Sequence, residues 1–294
     1  MKVLSLFSGV GGFDMGLERA GMETVYQCEW DKHANTILNK HWPDVPKWDD
    51  VSTLTGKHIL AGRPIIDVVA WGSPCQDLSV AGKRSGLEGE RSELFYEGMR
   101  IIKELRKGTN GQYPRISIWE NVVGALNSNR GADFGIILDE MAEAGAMVIE
   151  WAVLDAQHFG IPQRRRRVFV IAIFDPVLAE RCPNPLLPVA KSLRRNETEN
   201  GYFTFYTSQG KHDQYTKNIS TTLKVAGIAC IVGNDIAPRK LTPLECERLM
   251  GWPDDHTRWK ADGTEQVDTH RYKQCGNGVA SPVAQWIGKH LLKI

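Results

Sequence analysis

Cys75 sits in Gly72-Ser73-Pro74-Cys75-Gln76, directly after the apolar run Ile65–Trp71. A β-branched run that breaks at Gly and Pro reads as a buried strand emptying into a tight loop. In open α/β sheets such strand ends are where ligands and chemistry collect, and a thiol there is a candidate nucleophile. Taken alone, a single cysteine is more often a small buried hydrophobe. Glu120-Asn121-Val122 closes a second apolar run, Ile116–Trp119. An acid at that point stands beside the Cys75 loop, and partial burial would raise its pKa until it can donate a proton near neutrality. The competing reading is a helix N-terminal cap. Gln163-Arg164-Arg165-Arg166-Arg167 leads into Val168-Phe169-Val170. Period-two geometry sends Arg165 and Arg167 to one face and Arg164 and Arg166 to the other. Four adjacent arginines normally form a solvated or phosphate-binding patch; their alternation into a buried strand points one pair at a pocket.

A second group of residues suits a nucleoside. Phe7-Ser8-Gly9-Val10-Gly11-Gly12-Phe13 joins the first strand to the first helix. Glycines there let the backbone approach a ligand, and the helix start offers free N–H groups. Gly-rich turns of this kind are often purely structural, and the full Gly-x-Gly-x-x-Gly spacing is missing. Glu29, about 20 residues after the loop, is placed to hydrogen-bond a ribose diol. Trp30 can lie against a cationic or apolar ligand group. Asp50-Val51 fits an adenine clamp and fits a plain turn equally well.

These residues need a scaffold that brings strand ends together. Apolar runs predict strands at Val3–Phe7, Thr24–Cys28, Ile65–Ala70, Arg115–Trp119, Met147–Leu154 and Val168–Ile173, and amphipathic helices at Phe13–Ala20, Lys32–Lys40, Ser92–Arg106 and Phe134–Glu143. The alternation predicts an α/β fold with a doubly wound, mostly parallel sheet. From Pro176 the pattern turns helix-poor and Pro-rich, then polar and rich in Thr, Tyr, Gly and Lys. A smaller, mostly β or irregular domain is therefore expected at 191–271, with 1–190 and 272–294 forming the larger one. Within it, Thr242-Pro243-Leu244-Glu245 has Thr at N-cap, Pro at N1 and Glu at N3 of a capped helix. Apolar residues at helical spacing from Val279 to Leu292 predict a tail helix that docks back on the first domain.

Composition narrows the class. A chain of 294 residues with 42% hydrophobic and 24% charged residues is an ordinary globular one. A net charge of +1 means that any polyanion must be met by a local basic patch. The six cysteines show no Cys-x-x-Cys and no histidine at zinc spacing, so reduced thiols are expected, without disulfides or a structural metal. Met1-Lys2-Val3-Leu4 leads straight into a strand-like run, and no apolar stretch is long enough to span a bilayer, so a cytoplasmic location is expected.

Taken in order, the motifs resemble those of the cytosine-C5 DNA methyltransferases, which use S-adenosylmethionine. The resemblance runs through the Phe7–Gly12 loop, Glu29-Trp30, Asp50-Val51, Pro74-Cys75-Gln76, Arg91-Ser92-Glu93-Leu94-Phe95, Glu120-Asn121-Val122 and Gln163–Arg167. It continues through Arg239–Pro253 and Gln274-Cys275-Gly276-Asn277-Gly278-Val279. Ser73 departs from it, since many DNA enzymes of the family carry Phe there.

The resemblance implies that Cys75 attacks C6 of a target cytosine, that Glu120 holds N3 and the exocyclic amine, and that Arg167 binds O2 while Arg165 supports the loop. It implies a Rossmann-like fold in which Phe7, Ser8, Gly9, Gly11, Gly12, Glu29, Trp30, Asp50, Val51, Pro74, Leu94, Asn277 and Val279 surround S-adenosylmethionine, released as S-adenosylhomocysteine. Asp77–Arg91, with Gly82 and Gly86, resembles the loop that closes over DNA. Gln76, Lys83, Arg84, Arg91, Lys211, His212, Lys217, Arg239 and Lys240 are candidate DNA contacts, with Gln214 and Lys224 beside them in the recognition region. The implied partner is double-stranded DNA, with a cognate restriction endonuclease as a functional partner, for a monomer at the nucleoid of a bacterial or phage-infected cell. Two rival readings share part of this pattern. A transfer-RNA cytosine methyltransferase shares the motif set but typically carries Cys-Phe-Thr, which this sequence lacks. A silent cofactor- or DNA-binding module would not need Cys75, Glu120 and Arg167 together.

Overall fold

The computed structural model describes residues 1–61, 65–74, 93–188, 203–207, 214–217, 228–233 and 236–294, the segments between 203 and 239 by their backbone. Seven strands form one sheet: β1 (Lys2–Leu6), β2 (Glu23–Cys28), β3 (Lys47–Trp48), β4 (Val68–Trp71), β5 (Ile116–Val122), β6 (Val148–Asp155) and β7 (Arg166–Ile173). Their order is β3-β2-β1-β4-β5-β7-β6. β7 runs antiparallel to both of its neighbours, and the remaining pairs are parallel.

Both faces of the sheet are covered, so strand residues divide by parity between two cores. Val3, Val68, Ala70, Ile116 and Ile118 meet Phe13 and Leu17 of α1 (Gly12–Ala20) and Ile287 and Leu291 of α9 (Ser281–Leu291) on one side. Leu4, Leu6, Val69, Trp71 and Trp119 meet Phe95, Met99 and Ile102 of α4 (Glu93–Gly108) and Ile137 and Met141 of α5 (Ala132–Glu143) on the other. The tail helix packs closely on α1 because small residues face each other. A Cβ at Gly16 would lie 2.5 Å from that of Ala284, and one at Gly288 would lie 2.8 Å from that of Ala20.

The chain departs from its sequence pattern at several places. The sequence pattern puts the runs Glu120–Val122 and Arg166–Arg167 beside their strands, yet they lie inside β5 and β7, with Val122 paired to Arg167. Three helices were not anticipated: α3 (Gly56–Leu60), α6 (Pro176–Arg181) and α8 (Asp268–Asn277). α6 begins in the stretch read as helix-poor. Asp175 caps it by accepting from Leu178 N at 2.9 Å, and Pro176 takes the first turn, where a missing N–H costs nothing. The capping box at α7 (Pro243–Leu249) forms as expected. Glu245 N donates to Thr242 Oγ1 at 3.3 Å, and Thr242 N donates to Glu245 Oε2 at 2.7 Å.

β8 (Phe203–Thr207), β9 (Gln214–Lys217), β10 (Ile228–Gly233) and β11 (Ile236–Lys240) make a separate antiparallel sheet of order β11-β10-β8-β9. Leu241, Cys246, Leu249, Met250 and Trp252, within the stretch 191–271 assigned to the smaller domain, are buried in the same cluster as Val3 and Phe13. Their apolar side chains find the larger core closer to hand than any core four short strands can supply. Among the described residues no helix is long and apolar enough to cross a membrane.

One buried charge sits under the first loop. Asp14 of α1 is fully buried and accepts from Ser5 Oγ at 3.0 Å and Gln27 Nε2 at 2.9 Å, tying the helix to β1 and β2. Burial outweighs those bonds and raises its pKa to about 6. A carboxyl raised in this way favours folding fully below its unfolded pKa, and that contribution is lost as pH rises through about 6. Asp14→Asn keeps an acceptor and cannot ionise. Relative to the parent chain it should therefore gain up to about 3 kcal/mol between about pH 4 and about pH 7.5 in urea denaturation. An unchanged difference between the two pH values would contradict the assignment.

Candidate active site

The sheet register sets the site. Cys28, Leu6, Trp71 and Trp119 form one row across β2, β1, β4 and β5. One residue beyond that row come Glu29, Phe7, Gly72 and Glu120. Because β7 is inverted, Arg165–Arg167 arrive at this same edge from the opposite direction, with Val122 opposite Arg167. Residues far apart in sequence are thus brought together by strand order.

Gly72 passes against Glu120. A Cβ there would lie 3.3 Å from both the main-chain oxygen and Oε2 of Glu120, so a side chain would crowd the carboxylate. Ser73 is buried and doubly held: Asn121 Nδ2 donates to its carbonyl and Trp119 Nε1 to its hydroxyl, each at 3.4 Å. Underneath, Trp71 stacks on Phe95 with centroids 5.4 Å apart, and Trp71 Nε1 donates to Ser117 Oγ at 2.8 Å. Pro74 is exposed. Cys75, Gln76, Lys83, Arg84 and Arg91 lie outside the described residues, as do Lys211, His212 and Lys224, and the loop 77–91. Among the described cysteines, burial pushes the Cys28 and Cys246 thiols up to about 12 and raises those of Cys182 and Cys275. None of these four is poised as a thiolate.

Glu120 faces Arg167. Arg167 Nε lies 3.1 Å from Glu120 Oε1, on neighbouring strands and in a mostly enclosed position. Burial raises the Glu120 pKa, while Arg167 and then Arg165 pull it down. The arginine run alternates as the period predicts: Arg164 and Arg166 are exposed, Arg165 is buried and Arg167 is half-buried. Arg165 also acts on Glu120 through its charge. Its Nη2 donates to the carbonyls of Gly276 at 3.1 Å and Gly278 at 2.6 Å, fixing the turn that carries Asn277 and Val279. Asp155 in turn accepts from Arg165 N at 3.0 Å.

The Phe7–Gly12 loop is held in unusual backbone geometry. Phe7, Gly9 and Gly11 all have left-handed φ, at 55°, 57° and 85°; for a phenylalanine this is strained and persists only where surroundings over-determine it. Three amides of the loop, all ahead of the helix start, are bonded within the protein. Ser8 N donates to Cys28 O, Gly9 N to Glu29 Oε2 at 2.7 Å, and Gly11 N to Ser8 O. The loop closes on itself because its short side chains leave the backbone room to bond inward. Glu29 Oε1 also accepts from Asp31 N at 2.8 Å, and burial raises the Glu29 pKa against these bonds and Lys273.

Trp30 beside it is 73% exposed. With Asp31, Lys32, His33, Asp49 and Lys273 it lines a cleft across which Lys273 Nζ meets Asp31 Oδ2 at 2.7 Å. Asp50 closes a turn, its Oδ1 accepting from Ser52 N and Oγ, and Val51 is buried. Leu94 packs half-buried on the α4 side of the core. Gly12 lies flush against Val279, whose oxygen would be 2.5 Å from a Cβ; Asn277 is exposed. Of the remaining expected contacts, Lys240 is exposed, whereas Gln214, Lys217 and Arg239 are known by their strand positions alone.

This donor set suits a nucleoside bearing a sulfonium. It offers an exposed indole, a carboxylate with lone pairs to spare after two amide bonds, and open space over Gly9, where a Cβ would meet nothing within 4 Å. Sequence reasoning missed Asn121, which tethers the Cys75 strand end, and Lys273. Asn121 lies in the part of β5 that forms through pairing with β7, and its contact with Ser73 had no local signal.

The C-5 cytosine-specific DNA methylase family model matches residues 1–184 and 178–293. The Type II methyltransferase M2.BsuMI of Bacillus subtilis is 31% identical, over 99% of this chain and 75% of that protein. The Type II methyltransferase M.HhaI of Haemophilus parahaemolyticus is 29% identical, over 99% of this chain and 94% of its own. Among solved structures, a putative DNA modification methyltransferase from an E. coli prophage aligns over 100% of this chain and 99% of that one, with a TM-score of 0.70 at 21% identity. S. pombe Dnmt2 aligns over 100% and 98%, at 0.67 and 19%.

The opposing effects on Glu120 give a direct check. Replacing Arg167 by Met removes the larger of the two cations that lower its pKa, so the Glu120 carboxyl, followed by 13C NMR, should titrate higher than in the parent chain. A lower or unchanged value would show that the pair does not govern the acid.

Proposed function

This chain belongs to the C-5 cytosine-specific DNA methylase family, and from that membership we propose how its residues divide the work of methylating cytosine at C5 in DNA. S-adenosylmethionine, when bound, supplies a methyl group activated by its sulfonium charge and leaves as S-adenosylhomocysteine. Trp30 and Glu29 hold its nucleoside, with Asp50, Val51 and Leu94 on the adenine side. The Phe7–Gly12 loop, Pro74, Asn277 and Val279 enclose the rest. The observation that carries the reading is the Glu120–Arg167 pair, 3.1 Å apart at the strand ends beside Gly72 and Ser73.

C5 of cytosine is too weak a nucleophile to take the methyl group unaided. Cys75 thiolate adds to C6, the ring electrons move toward N3 and O2, and Glu120 delivers a proton to N3. N3 and O2 are neighbours on one edge of the base, which matches an acid and a cation side by side; Arg167 stabilises the charge that develops on O2. C5 then attacks the methyl carbon. A base takes the C5 proton, the thiolate leaves C6, and the N3 proton returns to Glu120. Arg165 acts one step back, by fixing the Gly276–Gly278 turn. Burial shifts Glu120 toward its acid form, so burial is part of the chemistry.

C6 is covered in stacked DNA, so the cytosine must leave the helix at a cost of a few kcal/mol. Gln76, Lys83, Arg84, Arg91, Arg239 and Lys240 offset that cost through phosphate and strand contacts, with Lys211, His212 and Lys217 in the recognition region. We assign recognition to the unit that includes the β8–β11 sheet, and the catalytic role to the larger sheet with its tail helix. A monomer at the nucleoid in the cytoplasm, paired in function with a restriction endonuclease, completes the proposal.

Incubation with tritiated S-adenosylmethionine should label duplex DNA and leave transfer RNA unlabelled; label in RNA alone would overturn the substrate. Cys75→Ala should abolish transfer while S-adenosylhomocysteine still binds, and Glu120→Gln should slow it by about 10²–10⁴-fold. Transfer retained by Cys75→Ala would remove the thiol from its role.

A further inference from the structure

His256 is the one deeply buried histidine among the described residues, 2% exposed, and it lies outside every group used above. Its Nε2 sits 2.7 Å from the carbonyl oxygen of Val10. A carbonyl only accepts, so Nε2 carries the proton and donates. Burial and the neighbouring His41 hold the ring pKa down to about 3, so it stays a neutral donor. Val10 lies within the Phe7–Gly12 loop, and its carbonyl falls just outside α1, whose first main-chain acceptor is Gly11 O, bonded to Met15 N. Without His256 that buried oxygen would lose this donor.

The surroundings fix the histidine in turn. His41 lies parallel to it with centroids 4.2 Å apart, and His41 Nε2 reaches the His256 carbonyl at 2.8 Å. Thr257, the next residue, donates N–H to Glu247 Oε1 at 3.0 Å, and Arg271 Nη2 reaches the same oxygen at 3.1 Å. Trp252, one turn earlier in the same segment, donates to Val279 O at 3.2 Å. The Trp42 ring, its centroid 6.4 Å from that of His256, lies so close to Gly11 that a Cβ there would meet it at 2.3 Å. The first half of the loop is held by Cys28 and Glu29; the second half is held from residues 252–256, more than two hundred positions away in sequence.

We propose that His256 is a positioning residue for the methyl donor: its Nε2–H sets the Val10–Gly11 peptide and so holds the Phe7–Gly12 loop in the shape that binds S-adenosylmethionine. The inference rests on the reading of that loop as part of the cofactor site. The test uses the full-length chain, with S-adenosylhomocysteine binding by calorimetry and steady-state methyl transfer. His256→Phe keeps a ring against His41 and loses the donor. Its Kd for S-adenosylhomocysteine and its KM for S-adenosylmethionine should rise about tenfold while kcat changes less than about twofold. His256→Gln, which returns an amide donor near the Nε2 position, should recover most of the affinity. Equal affinities for His256→Phe and the parent chain, or equal losses in the Phe and Gln variants, would overturn the proposal. If the Phe variant does not fold, 15N NMR of the parent chain decides: saturating S-adenosylhomocysteine should slow solvent exchange of the His256 Nε2 proton, and an unchanged rate would overturn it. A parent chain that binds no S-adenosylhomocysteine would instead sink the cofactor reading, and this inference with it.

Discussion

A carboxylic acid held beside an arginine at the mouth of a buried sheet is the constraint on which the rest of this molecule turns. Water would keep Glu120 ionised; burial resists that, and Arg167 at 3.1 Å limits how far the resistance goes. Either influence alone would spoil the acid. Without the arginine, the buried charge would have no partner, and without burial the proton would be lost well below neutral pH. The compromise depends on two strands meeting in antiparallel register, which is why the inversion of β7 is functional as well as topological.

The same logic extends outward from that pair. β1, β2, β4 and β5 end at one edge, and the strand order reverses between β1 and β4, where the crevice of a doubly wound sheet opens. Of the residues proposed for the methyl donor, Phe7, Glu29 and Trp30 lie on the β1–β2 side, and those proposed for the base, Glu120 and Arg167, on the β5–β7 side. The turn at Gly276–Gly278 bridges them, held by Arg165 and placed against Gly12 by Val279. A methyl group must pass between two ligands in a fixed geometry, so rigid walls on both sides serve the reaction. The strained Phe7 and the inward bonding of the loop amides fit that demand.

Much of this was legible in the chain itself. Strand runs, the arginine alternation and the capping box follow from periods and local chemistry that a few residues carry; the alternation and the box appear where the pattern put them, and the strands do so to within about three residues at their ends. What was not legible depends on distant partners. The two-residue β3 has no period of its own and exists because Gln27 and Cys28 present an open ladder to Lys47 and Trp48. The extension of β5 through Glu120 and Asn121 runs against ordinary strand composition and is imposed by pairing with Phe169 and Val168. The contact of His256 with Val10 has no local signal at all. The bonds of the loop amides, Gly9 N to Glu29 and Ser8 N to Cys28, likewise depend on partners about twenty residues away.

The central claim, that a thiol adds to C6 while Glu120 protonates the opposite edge, is tested most directly by covalent trapping. Duplex DNA carrying 5-fluorocytosine at the methylated position, incubated with S-adenosylmethionine, should form a denaturation-resistant adduct through Cys75, because fluorine cannot leave C5 as a proton. The adduct should form far more slowly in Glu120→Gln. Turnover at the natural site without any trapping, or trapping by Glu120→Gln at the parental rate, would contradict the account.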